Sequence, residues 1–421
     1  MEESRYLCID LKSFYASVEC AERGLDPMEA RLAVADPARG QGTVCLAVSP
    51  AMKAMGVKNR CRVYQIPKHV KYIMAPPRMK LYIQYSAAIY GIYLKYFAKE
   101  DIHMYSIDEA FMDMQPYRSL YQLTARELAA KIMADIRETT GIPAAAGTGT
   151  NLYLAKVALD ITAKHVKGNI GCLDETLYRE TLWGHRPLTD FWRIGEGIEK
   201  RLASVGIHTM GEVAHADEAM LYRMFGVDAE LLIDHAWGRE STTLADIKAY
   251  APKRHSLSSS QALFRDYNFE EGILLVKEML DSLCLDMAAQ GAKAQSLSLG
   301  VGYSHGTGLK PDFGSISMPE ATGSYRTILP YALGLYSRIV QKGKPIRKVT
   351  ASLSIAPQEG YQQYHLFEDG KAEEREQKLQ QAVLGIKQKY GKNAIVRGMD
   401  LLEAATAMER NRQIGGHRSG E

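Results

Sequence analysis

Tyr105-Ser-Ile-Asp-Glu-Ala-Phe-Met-Asp113 is the stretch on which the fold turns. Apolar residues surround it from Ile102 onward, so it reads as a strand, yet Asp108 and Glu109 stand side by side at its middle. A carboxylate taken out of water is costly unless cations or hydrogen bonds compensate it. Far upstream, Tyr6-Leu-Cys-Ile-Asp10 is a second short apolar run that ends on an aspartate. Three converging carboxylates would repel one another, and one or two divalent cations would remove that penalty. An oxygen-only donor set suits Mg²⁺. An isolated Asp-Glu pair also fits a turn or a salt bridge, so the flanking sequence has to decide.

Between the two runs, Phe14, Val18 and Ala21 carry a helical pattern. Residues 31–35 and 43–48 read as strands, and Ser49-Pro50 has the chemistry of a helix N-cap and first turn. Tyr82, Tyr85, Ile89, Ile92 and Tyr96 recur at helical spacing. A helix is expected over 120–139, then a small-residue strand, Ala144-Ala-Ala-Gly-Thr-Gly149, and a helix over about 151–164. This β-α-β-β-α-β rhythm with central carboxylates is that of a ferredoxin-like palm. Residues 174–245 read as short helices broken by glycines. Residues 250–356 read as an α+β module, with period-two strands at 295–303 and 349–355 and helices near 270–289 and 325–341. The remainder is charged and helical, with a Gly/Arg/His-rich tip expected to be disordered.

The chain has 421 residues, too many for one ordinary core. With 46% hydrophobic and 24% charged residues it has globular composition. No apolar run is long enough for a membrane helix, and the N-terminus has no secretory pattern. The six cysteines include no C-x-x-C pair, which suits free thiols in a reducing cytoplasm. A formal charge of +3 permits nucleic-acid binding without requiring it. No H-E-x-x-H, G-x-S-x-G or G-x-x-x-x-G-K-[ST] pattern occurs, so hydrolase and ATPase readings have no support.

Asp10-Leu-Lys-Ser-Phe-Tyr-Ala-Ser-Val-Glu19 and Tyr105–Asp113 together closely resemble the two signatures of Y-family translesion DNA polymerases of the UmuC/DinB superfamily. The resemblance runs over the whole chain, and its tail is similar to the Gram-positive UmuC-like (UvrX) branch. It implies an α+β, right-hand polymerase. The palm would comprise 1–25 and 75–168, the fingers 26–74, the thumb 169–245, the little finger 250–357 and a tail 358–421. It implies that Asp10, Asp108, Glu109 and the Leu11 carbonyl hold two Mg²⁺, with Mn²⁺ able to substitute. Tyr15 becomes the steric gate against a ribose 2′-hydroxyl, with Phe14 beneath the same sugar. Without the resemblance these two rings read as core aromatics. Asp113 is expected to be structural.

Lys53 and Lys156 match the family's triphosphate-binding cations, each early in a helix, where the dipole also favours an anion. Pro50 stands where many relatives have a phosphate-binding tyrosine and Ala47 where some have threonine, so Ser49 is expected to supply a hydroxyl instead. Phe191-Trp-Arg-Ile-Gly195-Glu-Gly197-Ile-Glu-Lys200 resembles a helix-hairpin-helix, whose glycines let backbone amides approach a DNA phosphate. Arg254 is expected on DNA backbone in the little finger. Gln363-Tyr-His-Leu366-Phe367 fits a bacterial sliding-clamp peptide, with Leu366 and Phe367 as apolar anchors.

The function implied is error-prone, template-directed DNA synthesis past damaged bases, within SOS damage tolerance. Its partners would be primer-template DNA, dNTPs and the sliding clamp, with room for accessory SOS proteins and no membrane. The expected location is the cytoplasm, at the nucleoid. A catalytically weak, clamp-bound accessory protein is the alternative. A nucleotidyl cyclase is disfavoured, because it needs neither hairpin nor clamp peptide.

Overall fold

In the computed structural model, which describes residues 4–252, 255–356 and 370–420, the run Tyr6–Leu11 forms strand β1 at the centre of a five-stranded sheet. Helix α1 (Phe14–Ala21) follows. A three-stranded sheet comes next, built from β2 (Leu32–Val34), β3 (Ala47–Val48) and β4 (Ile73–Ala75), with helix α2 (Pro50–Ala54) between the last two. Its core is small: Ala33, Cys45, Val48, Met52, Val57, Val63, Ile66 and Val70. The expected strand over 43–48 is shorter than its sequence pattern, because only Ala47 and Val48 find ladder partners in β2 and Val44 makes an isolated bridge to Arg62.

Helix α3 (Met79–Tyr93) returns the chain to the main sheet as β5 (Ile102–Met104) and β6 (Glu109–Asp113). The helix expected over 120–139 is two helices: α4 (Arg118–Tyr121) and α5 (Ala125–Thr140). Thr124 separates them, because its side chain accepts from Glu127 N while Glu127 reaches back to Thr124 N, a capping box. Strands β7 (Ala144–Gly149) and β8 (Ile170–Leu173) flank helix α6 (Leu152–Asp160) and complete the order β5-β6-β1-β7-β8. β1 is antiparallel to both β6 and β7, as a ferredoxin-like sheet requires.

The small residues of β7 and β8 have a mechanical reason. A Cβ on Gly147 would lie 2.2 Å from Ala155 O and from Leu159 N, and one on Gly149 would lie 2.3 Å from Ala155 N. On Gly171 it would lie 2.3 Å from Ala158 O. Helix α6 therefore lies flush on the sheet, closer than any side chain would allow.

Six helices follow, α7 (Glu175–Leu182), α8 (Glu196–Ala203), α9 (Met210–Ala214), α10 (Glu218–Phe225), α11 (Asp228–Trp237) and α12 (Leu244–Ala249). Their core, with Phe191, Leu202, Met210, Leu221 and Leu232, is continuous with Tyr153, Leu154 and Val157 of α6. His235 is buried here, stacked on Tyr153 at 3.9 Å, and its Nε2 lies 3.1 Å from Glu240 Oε2.

Residues 251–419 form a second compact unit. Strands β9 (Ser256–Tyr267), β10 (Ala294–Tyr303), β11 (Asp312–Thr322) and β12 (Ile346–Ile355) form an antiparallel sheet in the order β11-β10-β12-β9. Helices α13 (Phe269–Gln290) and α14 (Tyr325–Ile339) cover one face. On the other, the register aligns Ser317, Ser296, Ser354 and Ser256 in one row, and Ser315, Ser298, Ser352 and Ser258 in the next. Helix α15 (Gly370–Tyr390) and the short α16 (Ala407–Asn411) lead to β13 (Gln413–Ile414) and β14 (His417–Arg418). The tip expected to be disordered is thus an ordered hairpin. Gly415 and Gly416 have φ of 59° and 80°, the paired positive values that close a two-residue turn. No helix among the described residues is long and apolar enough to cross a membrane.

Candidate active site

The antiparallel register places Asp10 directly opposite Glu109, and Leu11 N donates to Asp108 O at 2.9 Å. The carboxylates of the two sequence motifs therefore meet at one end of adjacent strands. Asp108 is held from its own loop: Ser106 Oγ donates to its Oδ1 at 2.6 Å. Burial, together with the charges of Asp108 and Glu109, pushes the Asp10 carboxyl up to about 7.

Glu109 is buried, which raises its carboxyl, and Lys156 and Cys8 compensate it in part. Lys156 Nζ donates to it at 2.9 Å and to Asp160 at 3.0 Å, and Cys8 Sγ donates to its Oε1 at 3.2 Å. Burial alone would lower the Lys156 ammonium, but Asp160 and Glu109 outweigh it and hold it above the usual lysine range. Lys156, expected to bind phosphate, thus rests on a carboxylate of the site. The flush seating of α6 is what brings it there.

Ser13 begins α1 in a left-handed conformation, φ 50°, and turns the chain so that Phe14 is buried while Tyr15 stays half-exposed. The rings of Phe14 and Tyr15 are 5.6 Å apart, and Tyr15 lies 4.9 Å from Tyr82. Burial raises the Tyr15 phenol, and the Asp108 charge adds to it.

Glu19 plays a part that the sequence reading missed. It is fully buried, receives Arg78 at 2.9 and 2.8 Å and the Tyr82 hydroxyl at 2.8 Å, and pairs with Arg23. It clamps α1 to α3 and so fixes the aromatic pair. The signal was an acidic residue inside an apolar helical pattern. Asp113 is structural as expected, accepting from Arg5 at 2.8 Å.

In the three-stranded region, Lys53 is exposed on α2. Desolvation lowers its ammonium while Asp10 and Asp108 oppose this and Lys164 adds to it, so it shares the field of the carboxylates. Ser49 is corrected by the structure. Its hydroxyl is buried, donates to Ala30 O at 2.6 Å and accepts from Leu32 N and Met52 N. It is a helix cap with no capacity left for a phosphate.

Gly195 caps α8, and a Cβ on Gly195 or Gly197 would meet nothing within 4 Å. Nothing inside the protein requires glycine there, and the space above the backbone is open. Lys200 pairs with Glu196 at 3.3 Å. Trp192 Nε1 donates to the Tyr105 hydroxyl at 3.2 Å, which ties this turn to the strand of the second motif. Arg254, Gln363, Leu366 and Phe367 lie outside the described residues.

The chain's sequence and fold are similar to those of known proteins. The profile of the impB/mucB/samB family matches residues 9–160, and that of its C-terminal domain residues 254–366. The chain is 33% identical to UvrX, named for UV-damage repair in Bacillus subtilis (strain 168), over 98% of its own length and 97% of that protein's. The chain belongs to the Y-family DNA polymerases. It lies on the UvrX-like branch of the UmuC/DinB superfamily. It is also 30% identical to DNA polymerase IV of Pelotomaculum thermopropionicum, over 96% of this chain and 97% of that one. The fold is similar to a Y-family polymerase chimera of Dbh and Dpo4, with a TM-score of 0.65 at 19% identity over 83% of this chain and 98% of that one.

A Y-family polymerase is a DNA-directed DNA polymerase of damage tolerance and depends on divalent metal. The residues fit such an ion in part. Asp10 and Asp108 offer a hard oxygen donor set whose mutual repulsion, together with burial, outweighs the nearby Lys156 charge at Asp10, and Mg²⁺ is content with one or two carboxylates plus substrate phosphates. Glu109 is turned onto Lys156, and among the described residues no three acidic, imidazole or thiol side chains stand close enough to cage an ion.

Proposed function

We propose that the chain adds deoxynucleotides to a primer 3′ end opposite damaged template bases, releasing pyrophosphate, with two Mg²⁺ (replaceable by Mn²⁺) held by Asp10, the Leu11 carbonyl, Asp108 and Glu109. The observation that carries this is the register of Asp10 against Glu109, with Leu11 N bonded to Asp108 O beside them. Bound metal lowers the pKa of the primer hydroxyl and offsets phosphoryl charge. The protein does the rest. Asp10 accepts positive charge once its carboxyl is ionised, Ser106 orients Asp108, and Tyr15 over Phe14 occupies the space of a 2′-hydroxyl. Lys53 and Lys156 face the triphosphate, the latter after leaving Glu109.

Gly195, Gly197 and Lys200 meet DNA phosphate in this reading, as do Arg254 and the serine rows of the second sheet. Such contacts position a duplex without reading its sequence. Gln363, Leu366 and Phe367 bind the sliding clamp, and the protein works at the nucleoid in the SOS response. Primer extension with Asp108→Asn/Glu109→Gln tests the reading: wild type extends and the variant does not. The accessory-protein alternative is favoured by one observation, the engagement of Glu109 by Lys156. A wild type that binds DNA and clamp yet never extends a primer would establish it.

A further inference from the structure

Two of the chain's free thiols face each other in the three-stranded region. Val44 bridges Arg62 in antiparallel sense, Val63 N donates to Thr43 O at 3.0 Å, and Cys45 N donates to Cys61 O at 2.7 Å. Continuing that register by one residue sets Cys45 directly opposite Cys61. Opposed residues of a hydrogen-bonded antiparallel pair have Cα atoms about 5.5 Å apart, inside the roughly 4.4–6.8 Å that a disulfide spans. Cys45 sits in one core with Val48 and Met52, and Cys61 and Tyr72 pack against that core. Cys45 is buried and Cys61 is partly exposed.

We propose that Cys45 and Cys61 are a reversible oxidation site, converted by peroxide-class oxidants into an intramolecular disulfide that ties off the loop carrying Ser49, α2 and Lys53. The Cys61 thiolate attacks one oxygen of the peroxide, the O–O bond breaks, and hydroxide leaves to become water. The Cys61 sulfenic acid then meets Cys45. As the Cys45 sulfur forms the S–S bond it gives up its proton, the S–O bond breaks, and the second oxygen departs as water. Two thiols lose two electrons in total and the peroxide gains them. The division of labour follows from exposure. Solvent reaches Cys61, whereas burial and the neighbouring thiol push Cys45 up to about 12, so that it stays protonated until an electrophilic sulfur is presented to it. Closure fixes both flanks of α2, and its effect on nucleotide binding rests on the role proposed above for Lys53. Bond formation does not.

The test treats the native full-length protein with hydrogen peroxide, alkylates it after unfolding, and maps its peptides by mass spectrometry without reduction. The expected product is a Cys45–Cys61 linked peptide that dithiothreitol reverses and that Cys61→Ser abolishes. Sulfinic acid on Cys61 with Cys45 still alkylatable, or a link to a different cysteine, overturns the site. In primer extension, the oxidised wild type is expected to show a several-fold changed apparent KM for dNTP, and peroxide-treated Cys61→Ser none. A mapped bond with unchanged KM overturns the coupling to the fingers. A mapped bond in a protein that extends no primer in either state counts against the polymerase reading and leaves the oxidation site standing.

Discussion

Lys156 holds Glu109 at 2.9 Å from a helix that cannot retreat, so one carboxylate of the site is already engaged by a cation of the chain itself. Removing that ammonium leaves two acids facing each other. Breaking a buried pair by deleting one partner costs about 3–5 kcal/mol, and Lys156→Met should lose an amount near the lower end, because Asp160 is partly exposed. Urea denaturation measures it. Mg²⁺ should raise the melting temperature of the variant more than that of wild type, since it no longer competes with the lysine. Equal shifts would mean that Lys156 and metal do not share Glu109.

The Asp10 carboxyl, raised to about 7, gives a pH dependence of definite sign. Between the ordinary aspartate value near 4 and about 7, the folded metal-free protein binds a proton that the unfolded chain has lost. Stability conferred by this group is therefore greatest at low pH and falls until about pH 7, then levels off. Asp10→Asn removes the slope. In EDTA at pH 8 the variant should be more stable than wild type by up to about 4 kcal/mol, a gap that closes toward pH 4. It should have no polymerase activity.

Glu240 behaves in the opposite sense. Burial pushes its carboxyl up, but the hydrogen bonds from His235 and Thr242 prevail and hold it at about 2. Its contribution is present above the ordinary glutamate range and is lost as pH falls toward about 2. Glu240→Gln should destabilise the protein by about 1–3 kcal/mol at pH 7 and by progressively less below pH 4. A constant difference from pH 7 to pH 2.5 would sink this assignment.

Two glycine substitutions should separate packing from binding. Gly147→Ala puts a methyl 2.2 Å from backbone atoms of α6 and should prevent soluble folding. Gly197→Ala enters open space and should fold with wild-type stability, yet bind primer-template DNA several-fold more weakly if its amide lies against phosphate. Calorimetry and fluorescence anisotropy would report the two properties independently.

What the chain reveals in its sequence follows the range of the forces involved. Asp10, Asp108 and Glu109 stood out as carboxylates within apolar runs, but an Asp-Glu pair also fits a turn, and Asp108 does lie in the turn before β6. The resemblance of the flanking motifs set the three together. The cap at Ser49 was legible too, but its saturation was not, since Ala30 and Leu32 reach it through the tertiary fold. Glu19 was hidden for the same reason, its partners Arg78 and Tyr82 lying on another helix. The C-terminal hairpin went unread because its strands are two residues long, too short for any alternation, although Gly415-Gly416 carried the turn. Lys156 was found as a cation, and only the sheet showed which anion it attends.

The glycine-bedded seat of α6 also sets a clock. A helix whose backbone touches the strands beneath it has no sliding or tilting mode, so a change of partner by Lys156 has to be a rotation about side-chain bonds. Such rotations are far faster than the microsecond-to-millisecond movements of whole elements. If the cation does pass from Glu109 to an arriving triphosphate, that exchange keeps pace with each nucleotide and leaves slower, larger rearrangements to govern turnover.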